Sequence, residues 1–576
     1  MSSGHVAGTE VRTLCDTETL KCWGDGSQLW FRTLGTSVKL SSVRIENHSR
    51  LADCTVEVRN HLVIVGPNDV GKSSLLRCMD LLLGASTASL YSRISPEDFR
   101  DKSRSFVVEA ILVDLKADDY AHFPDEIHVH PSTGEKYLRI MLAADLDSEE
   151  TLNIDRSAPD GSTGRQLSRD QLQSLGWKTV GAAHSSSRDF RDDRNSSLDD
   201  ILSAIELGEE EAAFKAVVNS FQGKLDDSAV LALLRAKLSK QLTKALPEGI
   251  RQDDLSFVST ATEDLFRDVR LQIRRQGELK NMTEQSDGAR ALFAIALYDL
   301  VAESSNIVAV DEPEIHLHPS SQRSLGRLLR DGVNQKILAT HSPDIVGIFE
   351  VDDVVVVKPG GVIVQPSAGF LNAEERLLAH WWVATKLEPL TSRRVTLVEG
   401  PADRIIVQRV GDLTDRDLDR LGVALVELGG AGDVKYVHKL FGSSGFDVDM
   451  SLLIDRDAVS QTELHLGLAE GDFSANSVFV SETDLEDEYV SALGYAELFA
   501  AIESSKLFTK NELRNCKPSG PGGTLQPSDV AEFCRYKSSY KVRAALVAAS
   551  IMDEASARKV ASVDAMLSDI AERTTW

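Results

Sequence analysis

The chain has 576 residues, with 63 Lys and Arg against 89 Asp and Glu, a net charge of -26 and an apolar share of 42%. That length asks for several hydrophobic cores, roughly two to four domains. The acidity excludes a protein that coats DNA through general electrostatics, so any nucleic-acid contact has to be local. No apolar run approaches the length of about 18 residues that a spanning helix needs, and the first residues lack a signal peptide's basic start and apolar core, so a cytoplasmic address is expected. Cys15, Cys22, Cys54, Cys78, Cys516 and Cys534 form no CxxC pair, which speaks against a zinc site or a disulfide framework.

Residues 1–35 show no clear period and read as a tail. From Val38, VKLSSVRIEN and CTVEVRNHLVIVG alternate as short strands. The last of these runs into GPNDVGKSS, and KSSLLRCMDLLLG then has helical spacing that closes on Gly84. Strand, glycine loop and helix in that order are the context a P-loop needs. Gly66 and Gly71 let backbone N–H groups wrap a β-phosphate, Asn68 and Ser74 belong to the same nucleotide loop, Lys72 neutralises the β- and γ-phosphates, and Ser73 would hold Mg2+.

Between Leu146 and Ser197 the composition turns polar and predicts exposed loops around ordered pieces. Residues 198–255 are helix-rich and interrupt the two halves of the nucleotide site. They read as an insertion whose apolar face suits either a dimerisation arm or a cap within the domain. Further on, EQSDGARALFAIAL puts Ser286 and Gly288 at a helix start, a ready anion site. NIVAVDE predicts a buried strand ending in Asp311, which would hold the Mg2+ water shell, and in Glu312, which would orient the attacking water. Such a carboxylate pair can also be a mere helix cap. That reading weakens because ATHSP follows, with His341 able to sense the γ-phosphate.

AEERLLAHWWVATKLEPL predicts a linking helix, after which VTLVE, VALVEL, SLLID and SVFV predict four strands of a small parallel sheet. Glu399 closes the first strand and Asp403 lies one helical turn on. Asp455 and Asp457 are expected to alternate along the end of another strand, with Arg456 facing the other way. Carboxylates gathered there would repel one another unless two divalent cations, Mg2+ or Mn2+, sat between them. Glu486 in SETDLEDEYV is the choice for a further ligand, while Asp484 and Glu488 suit the polar face of a helix. Lys506 to Arg543 is a basic island in the acidic chain, read equally well as a nucleic-acid contact or as a solvated helical face.

The first array, GPNDVGKSS with DEPEIHLHP and THSP, resembles the ABC-type ATPases of the SMC and RecF-like group. In that group a serine such as Ser286 completes the nucleotide site of a second subunit, which implies a head-to-head homodimer with ATP between protomers. The chain departs from the group in having SDGA where SGG is usual, and no glutamine can be placed for the usual Q-loop. VEGPAD followed about 55 residues later by DRD resembles the Toprim domain of topoisomerases, primases and certain nucleases.

An ATPase half followed by Toprim is similar to the OLD (overcoming lysogenisation defect) family of ATP-dependent nucleases, over residues 36 to 545 or so. The resemblance implies an α/β protein: an ABC-type ATPase with a helical insertion, then a Toprim α/β domain with C-terminal helices. The expected division is a tail (1–35), ATPase parts at 36–197 and 256–370 around the insertion at 198–255, a linking helix (371–390) and Toprim (391–576). It further implies Lys541, in SSYKVRAAL, as the basic residue near the scissile phosphate. The implied activity is a metal-dependent DNA endonuclease under ATP control, often in defence against phage. Length and layout are also similar to the nuclease subunit of Gabija systems, whose partner is a UvrD-like helicase. The competing expectation is a RecF-like DNA clamp without nuclease activity. A topoisomerase would need a tyrosine in a dedicated cleavage domain, and a primase usually carries a zinc ribbon.

Overall fold

The computed structural model describes residues 38–116, 119–147, 151–161, 165–181, short pieces between 216 and 232, 272–275, 278–281, 305–315, 317–385, 387–429 and 434–574. Contacts divide the chain into two units. One, Met1–Arg32 with Leu202–Arg267, lies almost wholly outside the described residues, and the other, Thr33–Ile201 with Asp268–Trp576, carries everything below. The tail, nearly all of the helical insertion, Ser286 and Gly288 therefore fall outside the described residues.

Alternating residues in β1 (Lys39–Glu46) and β2 (Cys54–Glu57) put one face into the core. They join β4 (Phe106–Val113), β5 (Ile127–Val129), β6 (Lys136–Leu146) and β7 (Leu152–Ser157) in an antiparallel sheet of order β2-β1-β4-β6-β5, with β7 on β6. The second sheet reads differently because both of its faces are covered. Here β3 (Leu62–Val65), β12 (Gln335–Ala339) and β13 (Val354–Val357) are buried at every residue, as parallel strands between two layers must be. Its order is β14-β13-β3-β12-β11-β8, with β8 at Trp177–Gly181, β11 at Ile307–Asp311 and β14 at Ile363–Val364. Strand β8 is one of the ordered pieces expected among the exposed loops of 146–197; it pairs in parallel with β11 from Ile307↔Trp177 to Asp311↔Gly181. Gln272–Arg275 and Glu278–Asn281, β9 and β10, form a hairpin.

The P-loop helix, Lys72–Leu83, packs its apolar side into the core between the two sheets. Its C-terminal end carries a buried cation. Arg156, 2% exposed, donates from Nη1 to the carbonyls of Leu81 (3.3 Å), Leu82 (3.4 Å) and Ala85 (2.6 Å), where the helix dipole is negative. Burial without a carboxylate partner pulls its pKa down to about 10.

The linking helix, Ala373–Thr385, sinks Trp382 into a second core, which continues from the far side of the β3 sheet onto one face of the third sheet. That sheet consists of β15 (Arg394–Val398), β16 (Val423–Glu427), β17 (Met450–Ile454) and β18 (Val478–Val480), all parallel in the order β16-β15-β17-β18. Helices Leu485–Leu493, Pro527–Arg535, Ser538–Ile551 and Ala561–Thr574 cover its other face. Among the described residues no helix is long and apolar enough to cross a membrane.

Arg156→Met should leave the helix-end carbonyls without donors and cost about 2–4 kcal/mol, read as a fall in the urea midpoint of unfolding. A second prediction concerns Asp353, 3% exposed, which accepts a hydrogen bond from His61 N (3.1 Å) at the entry to β3. Burial pushes its pKa up to about 6, so the stability it confers at pH 4 is lost as pH rises through 6. Asp353→Asn, which cannot ionise, should exceed the parent in stability at pH 7 by up to about 3 kcal/mol and match it at pH 4 in parallel denaturation curves.

Candidate nucleotide cleft and carboxylate centre

At the end of β3, Gly66 takes φ +148, and a Cβ there would lie 2.2 Å from the carbonyl oxygen of Val357 on β13. Only glycine fits that approach. Gly71, with φ +113, is the N-cap of the P-loop helix. A cleft of about 660 Å³ opens over this turn, lined by Asn68, Gly71, Lys72, Ser73 and Ser74 from the loop and by Glu312 and His341 from the ends of β11 and β12. Gly66 and Asp311 lie behind the lining. Asp311 ends β11 as expected and accepts a hydrogen bond from Ser73 Oγ at 3.2 Å, so the two expected Mg2+ ligands adjoin.

Lys72 donates to the carbonyls of Gly66 (3.1 Å) and Pro67 (2.7 Å), closing the loop on itself. Burial pulls its pKa down while Glu312, Asp311 and Glu314 push it back up. Burial raises Asp311, and burial followed by the Lys72 charge lowers His341. Glu312 sits at φ +49, a backbone conformation that costs a side-chain-bearing residue about 1 kcal/mol or more and clusters at functional sites. The expected residues missed two neighbours. Glu314 accepts from His341 N (2.5 Å) and Thr340 Oγ1 (2.8 Å), so it sets the loop that carries the histidine. Arg50, paired with Asp69 of the P-loop at 3.1 Å, also lines the cleft. The DEPE spacing held a signal for Glu314, whereas Arg50 had none in its local sequence.

The second site lies at the C-terminal edge of the β15 sheet. Glu399 follows β15 directly and accepts a hydrogen bond from Asp455 N at 3.1 Å. Strand β17 ends at Ile454, so Asp455 and Asp457 do not alternate along a strand. They lie on a turn of 3-10 helix, Arg456–Ala458, which Asp455 caps. The turn brings both carboxylates to one place: Glu399, Asp455 and Asp457 offer oxygens within 4.8 Å of one another. Asp403 and Glu486 stand outside this group. Asp403 is tied by accepting from Gly400 N (2.9 Å), and Glu486, 1% exposed, faces Lys541 Nζ at 3.4 Å.

Both still act on the centre through their charges. Asp455 is pushed up to about 8 by burial first and then by Glu399, Asp403 and Glu486, against Lys541. Asp403 is pushed up to about 7 chiefly by burial. Glu399 and Asp455 are partly buried and Asp457 is exposed, and carboxylates crowded in this way are a donor set a divalent cation fits, because its charge cancels the repulsion.

Of the basic island, Arg535 pairs with Asp484 (2.6 Å) and Asp487 (2.7 Å). Arg543 pairs with Glu512 (2.9 Å) and stacks on Phe508 and Tyr540. These arginines lock helices together, so neither composition-based reading holds for them.

Two family models match the chain: "AAA domain, putative AbiEii toxin, Type IV TA system" over residues 62–347 and "Overcoming lysogenization defect protein-like, TOPRIM domain" over residues 390–457. The chain is 25% identical over 434 residues to the OLD nuclease of Thermus scotoductus, covering 69% of this chain and 78% of that protein. It is 23% identical over 444 residues to endonuclease GajA of Bacillus cereus, covering 70% and 73%, and 19% identical to the Old nuclease of Escherichia phage P2, covering 74% and 78%. The fold is thus α/β, an AAA-type ATPase domain joined to a Toprim domain. Both domains lie on one polypeptide, an AAA-type ATPase domain followed by an OLD-like Toprim domain, and the chain is similar to OLD nucleases along most of its length.

Lys72→Ala should lower nucleotide affinity about 100-fold, near 2.7 kcal/mol, in titrations with a fluorescent ATP analogue.

Proposed function

We propose that this OLD-type nuclease hydrolyses DNA phosphodiesters at the Glu399, Asp455 and Asp457 centre, under the control of ATP bound in the P-loop cleft. The observation that carries the reading is the convergence of those three carboxylates, with the Lys541 ammonium held beside them by Glu486. Divalent cations, Mg2+ or Mn2+, bound there would acidify the attacking water and neutralise the scissile phosphate. Glu399 and the two aspartates would be the ligands, joined by Asp403 and Glu486 once the cations draw them in. Lys541 would face the charge that develops as water attacks phosphorus and the P–O bond to the leaving strand breaks. Asp403, whose proton is held to about pH 7, would deprotonate as cations bind.

Nucleotide would be held by Asn68, Gly71, Lys72, Ser73 and Ser74, with Asp311, Glu312 and His341 around its terminal phosphate. Control of cutting by ATP has a physical basis in a second cavity of about 450 Å³. His341 lines it along with the nucleotide cleft, and so do Arg404, next to Asp403, and Glu427 at the end of β16. Displacement of the His341 loop by a γ-phosphate would therefore be felt one residue from the carboxylate centre. Ser286 and Gly288 of a second copy would complete the nucleotide site in a homodimer. A role in defence against phage, with a UvrD-like helicase as partner, belongs to the same proposal, and the similarity to endonuclease GajA supports it.

Supercoiled plasmid incubated with Mg2+ or Mn2+, with and without ATP, should be nicked or linearised by the parent. Glu399→Ala and Asp455→Asn should each reduce cutting by at least about 1,000-fold while binding the ATP analogue like the parent. Retained cutting by both variants would remove the assignment of this centre.

A further inference from the structure

A phosphodiester substrate has to approach an acidic centre on an acidic protein, so the cations beside the centre decide where its strand lies. Most are already committed. Arg535 bridges Asp484 and Asp487, Arg543 is stacked on rings and paired with Glu512, and Lys541 faces Glu486. Arg404, 3.6 Å from Glu427, lines the cavity shared with His341.

Arg456 differs from Arg535, Arg543 and Lys541 in exposure, and from Arg404 in lying on the turn itself. It lies between Asp455 and Asp457 on the turn that gathers the carboxylates, and its backbone N donates to Thr483 O (3.2 Å), which ties the turn to the segment following β18. Its side chain is 53% exposed, and its guanidinium pairs with Glu470, itself 46% exposed. Glu470 is fixed from below. Its N–H donates to Glu463 Oε1 (2.8 Å), and its carbonyl accepts from the N–H of Phe473, a residue buried in the core. The pair therefore joins a cation anchored at the carboxylate centre to a glutamate anchored outside it.

An exposed ion pair contributes only about 0–1 kcal/mol, whereas a guanidinium offers a phosphate two parallel charge-assisted hydrogen bonds. Exchange of Glu470 for a backbone phosphate thus favours the phosphate. We infer that Arg456 is a substrate-binding residue that grips a DNA backbone phosphate next to the scissile one, and that Glu470 is the latch holding it in the free protein. The inference rests on the nuclease reading of the centre and adds to it a contact that fixes the strand's register.

The test is DNA binding by the full chain in Ca2+, followed by fluorescence anisotropy of a labelled duplex over a range of salt concentrations, with cutting in Mg2+ measured in parallel. Arg456→Ala should weaken binding roughly 5- to 30-fold and lower the slope of log affinity against log salt by about 1. Arg456→Lys, which keeps the charge without the fork, should restore the slope and only part of the affinity. Glu470→Gln should tighten binding several-fold, and much less so in the Arg456→Ala background. Unchanged affinity and slope in Arg456→Ala, with parent-like cutting, would overturn the phosphate contact and leave the nuclease reading standing. A parent that neither binds nor cuts DNA would overturn both.

Discussion

Like charges forced together at the C-terminal ends of buried parallel strands shape both halves of this molecule. Strands buried on both faces carry few charges along their length, Lys336 in β12 and Arg394 at the start of β15 among them, and the carboxylates appear where the strand stops, as Asp311 does after IVAV and Glu399 after RVTLV. Burial and mutual repulsion raise Asp311, Asp403 and Asp455 together. Each cluster is balanced by one lysine, the buried Lys72 at the first and the partly exposed Lys541 at the second, whose pKa values move in opposite directions. For Lys72 burial outweighs its acidic neighbours. For Lys541, which is less buried, the carboxylates outweigh burial.

The two clusters are mechanically close because one apolar core runs between their sheets. Val63, Val65 and Val356 of the P-loop sheet share it with Val395, Leu397 and Leu452 of the Toprim sheet, and Trp382 of the linking helix is buried in the same core. Close-packed interiors transmit strain instead of absorbing it. The His341 loop, which Glu314 anchors, instead faces β16 and Arg404 across a cavity, so a group filling that cavity would touch the supports of both sites.

Much of this was legible in the sequence, and the limits have physical causes. The P-loop, the carboxylates after β11 and the four Toprim strands are set by local pattern: a glycine turn, an apolar run, a strand end. The ordered piece at QSLGWKTVG was not legible as a strand, because it is short, lies in a polar stretch and is held by pairing along β11. The turn at Asp455 was misread as strand for a related reason. IDRD has period-two spacing, yet the strand stops at Ile454, and the 3-10 turn is fixed by the Asp455 N–H reaching Glu399 and the Arg456 N–H reaching Thr483. Arg156 left no mark at all, since the carbonyls it serves lie at least 71 residues away in the chain.

Net charge alone would have this protein repel its substrate, and the arrangement of ion pairs resolves that conflict. With 89 acids against 63 bases, nearly every cation near the centre has a carboxylate already in place, and what distinguishes the pairs is burial. Glu486 is 1% exposed, and breaking its pair with Lys541 would strand a buried charge, a cost of about 3–5 kcal/mol. Arg456 and Glu470 are both about half exposed, so their separation costs little. The same acidic excess that weakens attraction at a distance therefore sorts the cations at close range into fixed and exchangeable ones. An exchangeable cation can take hold of a phosphate without disturbing the fixed pairs around the proposed carboxylate centre.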